Sequence, residues 1–581
     1  MTFSGTIARV RAGQLPQGLV LKLVVLALLG VLVAAPLMRI VLETLAPDAI
    51  GAWTDVIASR LSRNLLWVPL SNTLILGFGT AVICVAAGGF LAWLVVMTDV
   101  PFRRTIAVMA TLPFMIPGFA TALAWTTLFR NNRLGGQSGF LESLGLTIPD
   151  WLSWGIVPSL VVLSAHYYSL AFAIIAAALA SINSDLVEAA QMAGARRARI
   201  LSGIVLPVAL PALLSAGALS FAEAVSNFAI PAILGLPVRM QTMATRLYGL
   251  IEIGQSGRGF VIAILLIAVS AFFLWLGMRV INGRRTFATI TGKGGRAKRM
   301  PLGAARWPLF AFAAAICSTT TIIPVLVLII SSLSTSSSQL FSSWTLHYWL
   351  GASNPDFAQG QAGIVHNPFI LDAIGTTVTL GLVVAVTGTI VGLLVAYTLA
   401  RYRTGLASGA IEQLSFVPLL LPGIGFAAAY IALFGTPIGP FPALYGTLTL
   451  LVIAATASLI PFAVQSGRAV IQQVSGDLEE SARLTGAGFL RRLAAITVPL
   501  AARGIVAGAL LIFVKIMREL ALVVVLFTPA TPVLAVLAYR YASEGFAQFA
   551  NAIAVVILAI SALATILANI LQNRSQPWLK S

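Results

Sequence analysis

The chain has 581 residues, 59% of them hydrophobic and only 9% charged, with a mean hydropathy of +0.97. A soluble domain carries about 25% charged residues, and surface falls too slowly with size to hide this much apolar side chain. A soluble enzyme and a disordered protein are both excluded. The net charge of +18 reads as basic cytoplasmic loops rather than as nucleic-acid binding, because Lys and Arg of membrane proteins collect on that side.

Apolar runs of spanning length lie at 19–42, 70–97, 105–129, 155–181, 208–234 and 259–281, then at 308–332, 372–399, 409–434, 446–472, 500–528 and 547–571. Each predicts a helix, because backbone in hydrocarbon must satisfy its own hydrogen bonds. The first run is too long for the core of a cleavable signal peptide. Cys84 and Cys317 sit inside apolar runs, with no neighbour at metal-ligand spacing, and read as small buried hydrophobes. The expectation is an all-α integral membrane protein of 12 helices with both termini on one side.

Charge chooses that side. Arg9, Arg11 and Lys22 begin the chain without an acid, Arg103 and Arg104 follow the second helix, and Arg196, Arg197 and Arg199 follow the fourth. The stretch 282–306 holds Lys293, Arg296, Lys298 and Arg299, again with no acid. The positive-inside rule places the termini and this linker in the cytoplasm. Its glycines and basic residues predict a flexible tether between halves 1–281 and 307–581.

The halves repeat. Pro113-Phe114-Met115-Ile116-Pro117-Gly118 returns as Pro418-Leu419-Leu420-Leu421-Pro422-Gly423. Both halves have six helices and start inside, so the repeat is parallel about an axis along the membrane normal. Two such bundles suit a transporter or channel, although duplication is also compatible with a purely architectural role. Between the fourth and fifth helices of each half lies a second repeat. Glu188-Ala189-Ala190-Gln191-Met192-Ala193-Gly194 leads, after nine intervening residues, to Ile204-Val205-Leu206-Pro207. Glu480-Ser481-Ala482-Arg483-Leu484-Thr485-Gly486 leads, after nine intervening residues, to Ile496-Thr497-Val498-Pro499. Asn183 or Asp185 is placed to cap a short helix, and a carboxylate at Glu188 suits its positive end. Pro207 and Pro499 are expected to restart a membrane helix. An amphipathic helix lying on the membrane is the plainer alternative.

These two segments, 182–207 and 474–499, resemble the EAA loop of permease subunits of binding-protein-dependent ABC importers, E-A-A-x3-G-x9-I-x-L-P. Ser481 and Val498 depart mildly from that pattern. The resemblance implies that Glu188, Ala189, Ala190, Gly194, Ile204, Leu206, Pro207, Glu480, Ala482, Gly486, Ile496 and Pro499 couple the chain to two copies of a separate ATP-binding subunit. It also implies a periplasmic or lipid-anchored substrate-binding protein as partner. ATP and Mg are expected on the partner subunits, with no cofactor and no stably bound metal on this chain.

The chain itself carries no phosphate-binding loop. The nearest approach, Gly292-Lys293, has Phe287 where Gly is required and Gly294 where a hydroxyl is required. Ionisable and polar residues inside the spans are functional candidates by default. Glu223 and Asn227 stand four apart on the expected fifth helix, as do Lys515 and Glu519, with Arg518, on the eleventh. Four apart on one helix means a shared face, so each set either lines a path or forms an internal polar pair. Pro117 and Pro422 are expected to break their helices midway, as packing kinks or beside a gate. His166, Tyr167 and Tyr168 read first as aromatic packing.

Fused double-length permeases with two EAA loops are most similar to the ferric iron permeases of bacteria, and Met517-Arg518-Glu519-Leu520 also resembles that group. The resemblance implies an inner-membrane ABC importer permease, not an enzyme, with ferric iron as its solute. Aminoethylphosphonate, thiamine and putrescine permeases are also similar. A secondary transporter driven by an ion gradient also has two halves and a basic linker, but the duplicated loops argue against it.

Overall fold

The computed structural model describes residues 17–182, 190, 192–282, 300–355, 358–437, 439, 440, 442–472 and 474–574. The linker residues 283–299 lie outside the described residues, and so do Asn183, Asp185, Glu188 and Ala189. Ten helices are long and apolar enough to cross a membrane, and two further pairs, Arg103–Met115 with Gly118–Phe129 and Leu406–Leu420 with Gly423–Phe434, pass as single spans bent by 96° and 113°. These account for all 12 apolar runs, and no strand occurs among the described residues.

Proline shapes these spans in a regular way. One turn of π-helix ends two residues before a proline in five places: Gly30–Ala34 before Pro36, Arg63–Trp67 before Pro69, Leu201–Val205 before Pro207, Ser318–Ile322 before Pro324, and Leu493–Thr497 before Pro499. Proline lacks an N–H and its ring presses on the carbonyl four residues back. Slipping the ladder by one residue lets the helix continue without an orphaned carbonyl. Pro207 and Pro499 therefore do not restart a helix, contrary to the expectation from the sequence. They sit inside the continuous spans Leu201–Ser226 and Phe489–Met517.

The described helices fall into two compact units. One comprises the described parts of 1–50, 372–533 and 559–581, the other those of 51–371 and 534–558. The grouping differs from the division of the sequence at the linker, because the first helix of each half packs with the other half's helices. In the first unit, Tyr430 OH donates to Leu32 O at 2.6 Å and Lys22 Nζ to Thr404 O at 2.6 Å. In the second unit, Tyr168 OH pairs with Thr320 Oγ1 at 3.0 Å, and Asn551 Nδ2 donates to Thr127 Oγ1 at 3.0 Å and Ser331 Oγ at 2.7 Å. Polar groups with no water to turn to select these neighbours.

Within each unit the repeat recurs as geometry. A Cβ on Gly88 would lie 2.9 Å from Ala171 Cβ, and one on Gly392 would lie 2.5 Å from Ala463 Cβ. Both helix crossings are too close for any residue but glycine. Gly77 meets Phe221 and Val225 as Gly381 meets Phe513 and Met517. These contacts match the first half to the second by an offset of 304 residues before the bent span and 292 after it.

Candidate functional site

Ser475 opens the second EAA segment: its Oγ accepts from Asp477 N at 3.2 Å and caps the Gly476–Leu484 helix. Asp477 and Glu479 occupy the first turn, where carboxylates suit the positive dipole end. Gly486, at φ +85°, closes the helix, and Ala487 N donates to Ala482 O at 3.0 Å. The first segment ends in the same way, with Gly194 at φ +79° and Ala195 N donating to Ala190 O at 3.0 Å. Both glycines make the left-handed stop that an L side chain resists. Among the described residues no heavy atom beyond the chain neighbours lies within 4 Å of where a Cβ would stand at either, so there the demand is conformational rather than steric.

The segments differ in what they show and what they hide. Glu480 is exposed, Ala482 and Ala190 are half-buried, and so are Ile204 and Ile496. Leu206, Pro207 and Pro499 face outward, whereas the variable position between Ile and Leu is buried, as Val205 and Thr497. Two residues before each glycine stands a fully presented apolar side chain: Met192 is 90% exposed and Leu484 85%. The sequence reading passed over both, because periodicity over so short a helix does not say which face lacks a neighbour.

Each segment leads into a span whose far end breaks beside a bent helix. Leu206–Ser226 stops at Asn227, whose Oδ1 accepts from Ile230 N at 3.0 Å in the first turn of Ala229–Leu234. Val498–Met517 stops at Arg518, and Glu519 Oε1 accepts from Leu522 N at 3.1 Å beside Ala521–Leu526. Asn227 and Glu519 thus lie beyond helix ends, not one turn along a helical face from Glu223 and Lys515. The expected shared faces are corrected on this point, because a short polar side chain at each break replaces a ladder hydrogen bond.

At these breaks the bent helices come close. A Cβ on Gly118, the residue after Pro117, would lie 3.7 Å from Asn227 Nδ2 and 3.8 Å from His166 Nε2. A Cβ on Gly423, after Pro422, would lie 3.3 Å from Glu519 Oε1. Asn227 Nδ2 donates to Tyr167 OH at 2.9 Å, and the His166 ring stands 4.7 Å from that of Tyr167. His166 and Tyr167 therefore belong to the kink cluster rather than to packing alone. Half-buried Lys515 places Nζ 3.8 Å over the Phe462 ring, and Arg518 Nε donates to Val514 O at 3.3 Å. Glu223 is half-buried. Among the described residues no three of His, Cys, Asp and Glu converge on a point.

The family model for the binding-protein-dependent transport system inner membrane component matches residues 84–287 and again 388–581. The chain belongs to this family, twice over. Each matched stretch contains one EAA segment, the span after it and the break beyond. The first helix of each half, which packs with the other half, lies outside both stretches. The chain is similar to a ferric transport system permease protein of Actinobacillus pleuropneumoniae, 23% identical over 84% of this chain and 68% of that protein. It is similar to a probable ABC transporter permease protein of Sinorhizobium fredii, 26% identical over 78% of this chain and 77% of the other. A sulfate transport system permease protein of Salmonella typhimurium is 28% identical over 36% of this chain and 79% of its own length. As a binding-protein-dependent permease, the chain is a multi-pass inner-membrane transport protein and not an enzyme.

Two further features of this permease escaped the sequence. One is a cavity of about 470 Å3 in the second unit, lined by Arg130, Thr126, Trp154, Leu236, Tyr539 and Ser543 among others. The Arg130 guanidinium stands 5.8 Å over the Trp154 ring, its buried Nε has no hydrogen-bond partner among the described residues, and burial pulls its pKa down. The other is Glu479, 5% exposed, directly before the motif residue Glu480. It accepts from Tyr397 OH at 2.6 Å, Arg401 Nη2 at 3.1 Å and Thr497 Oγ1 at 3.0 Å. Its partners lie 82, 78 and 18 residues away, and no local spacing signals such a cluster.

Proposed function

We propose that this chain is the translocation subunit of an ABC importer for ferric iron, driven by two copies of a separate ATP-binding subunit and supplied by a substrate-binding protein outside the membrane. One arrangement carries the reading: in both units a continuous helix runs from an EAA segment to a break that touches the kink of a bent span. Exposed Met192 and Leu484, with Glu480, would seat in the ATP-binding subunits. Closure of those subunits would then push along Leu201–Ser226 and Phe489–Met517 and shift Asn227 against Gly118 and Glu519 against Gly423. Such rocking of two halves around a fixed path is a general way to alternate access. Ile204, Leu206, Pro207, Ala482, Ile496 and Pro499 would support the docking, with the termini and 282–306 on the cytoplasmic side. Neither ATP nor Mg would bind this chain.

Ferric iron rests on the relatives named as ferric permeases and on hard oxygen donors, which suit a hard cation, at Glu223, Asn227 and Glu519 along the proposed path. Weak contact suffices, because a tight site would trap the ion. A second reading, an oxyanion or phosphonate, draws on Lys515, Arg518 and the Arg130 cavity, since such groups are recognised by fixed cations. Uptake of radiolabelled ferric iron, sulfate and aminoethylphosphonate by cells with and without this chain separates the two. Iron uptake should fall under iron limitation on deletion. Unchanged iron uptake with loss of an anion would replace the iron assignment.

A further inference from the structure

We infer that a polar clamp holds the second EAA segment to its spans, with Glu479 as its positioning residue, and that the first half's residues at the same positions cannot form it. The inference rests on the coupling role proposed above. Around Glu479 the clamp grips the segment along its length. Arg401 Nη2 reaches both Glu479 and Val474 O, at 3.2 Å, ahead of the helix. Arg492 Nη1 donates to Ala487 O at 2.6 Å behind it, and the Phe489 ring packs on Tyr397 at 5.2 Å between centroids. Gly476 leaves room for the guanidinium: a Cβ there would lie 3.1 Å from Arg401 Nη1.

The internal repeat supplies the control. By the 304- and 292-residue offsets, Tyr397, Arg401, Glu479, Arg492 and Thr497 correspond to Trp93, Met97, Val187, Ile200 and Val205. Four of the five counterparts are apolar by sequence, Val187 lying outside the described residues, and the fifth, Trp93, buries an indole N–H that has no hydrogen-bond partner among the described residues. Met97, Ile200 and Val205 are 5%, 1% and 2% exposed, so these three counterparts lie in the dry interior as the clamp does. A buried ion pair is no better for stability than packed apolar residues, and the first half folds with the apolar set. What the pair adds is direction. A carboxylate with three donors on two separate helices is fixed in orientation, whereas apolar contacts allow sliding. The second segment is therefore a stiff lever that aims Glu480 and Leu484 outward, and the first is a compliant one. Two identical ATP-binding subunits would meet unequal loads.

The test uses the full chain with its ATP-binding subunit in proteoliposomes, and the chain alone in inside-out membrane vesicles. In vesicles, Glu479→Gln should raise the rate of trypsin cleavage after exposed Arg483 about tenfold, the scale set by losing a charge-assisted buried hydrogen bond. In proteoliposomes it should lower the radiolabelled ferric iron moved per ATP hydrolysed by about the same factor, with hydrolysis continuing. A chain given the first half's residues, Tyr397→Trp, Arg401→Met, Glu479→Val, Arg492→Ile and Thr497→Val, should recover part of both and stop short of wild type, as a compliant but packed segment would, which loss of fold could not produce. Wild-type cleavage or wild-type stoichiometry in Glu479→Gln overturns the inference. So does a five-residue chain that inserts yet stays as impaired as Glu479→Gln. If that chain fails to insert, Glu479→Gln decides by the same limits. Should no ATP-binding subunit drive uptake through the wild-type chain, the proposed function fails, while the vesicle measurement still judges the clamp.

Discussion

Asn227 and Glu519 show how one side chain decides where a membrane helix ends. Each stands one residue or two past an α-helix and offers an oxygen to the backbone N–H three residues on. In hydrocarbon that N–H has no water to replace the lost ladder bond. Asn227→Ala should therefore lower the melting temperature of the detergent-purified protein, at a cost of about 0.5–2 kcal/mol for a lost cap. Asn227→Asp keeps the acceptor and should melt near wild type. Equal melting of the alanine chain and wild type would remove Asn227 from this role. Glu223 makes a different demand. Glu223→Ala should lower uptake partly, and unchanged uptake would exclude it from the path. Charge at these positions was legible in the sequence, since polar residues in apolar runs stand out. Their geometry was not, because a continuous helix was the simplest assumption for runs 208–234 and 500–528.

At the scale of elements, glycine and proline set boundaries that composition alone cannot place. Gly486 closes its helix at φ +85°. Gly486→Ala should cost about 1–2 kcal/mol, the penalty of a left-handed L residue. Gly486→Asn should cost less, since asparagine tolerates that region. Gly486→Arg and Gly194→Arg should abolish uptake while the chain remains in the membrane fraction, because a large side chain would fill the open space reserved for a partner. Uptake measured beside immunoblots of membranes tests the series, and normal uptake in both arginine chains would end the docking model. Leu484→Asp should also uncouple, since an unpaired charge is costly to bury in the contact proposed for Leu484. Loss of that effect would leave Leu484 a bystander.

For the whole molecule, the consequential feature is that 1–50 belongs to the unit containing 372–533. Tyr430, fully buried, spends its hydroxyl on Leu32 O. Tyr430→Phe should destabilise the protein by about 1 kcal/mol, the net worth of one hydrogen bond. A chain beginning at residue 51 should expose the second half's Leu406–Phe434 stretch to protease and spare 63–97. Protection of 406–434 in that chain would contradict the grouping. The proposed topology has its own measurement: a cysteine at Lys293 should resist an impermeant thiol reagent outside intact cells, and ready labelling would invert the assignment.

The apolar helices, the internal duplication, the two EAA segments and the kinks at Pro117 and Pro422 are all written in local patterns. An apolar run must be a helix in a membrane, a proline must interrupt its ladder, and a motif repeats whatever surrounds it. Other features depended on which distant residues meet. Glu479 reads as one acid among several until Tyr397, Arg401 and Thr497 close around it. Met192 and Leu484 carry no local signal of their exposure, which shows only once the fold leaves them uncovered. The exchange of first helices has no local signal either, because an apolar helix fits many partners, and only a few buried polar groups, such as Tyr430, Tyr168 and Asn551, distinguish one from another.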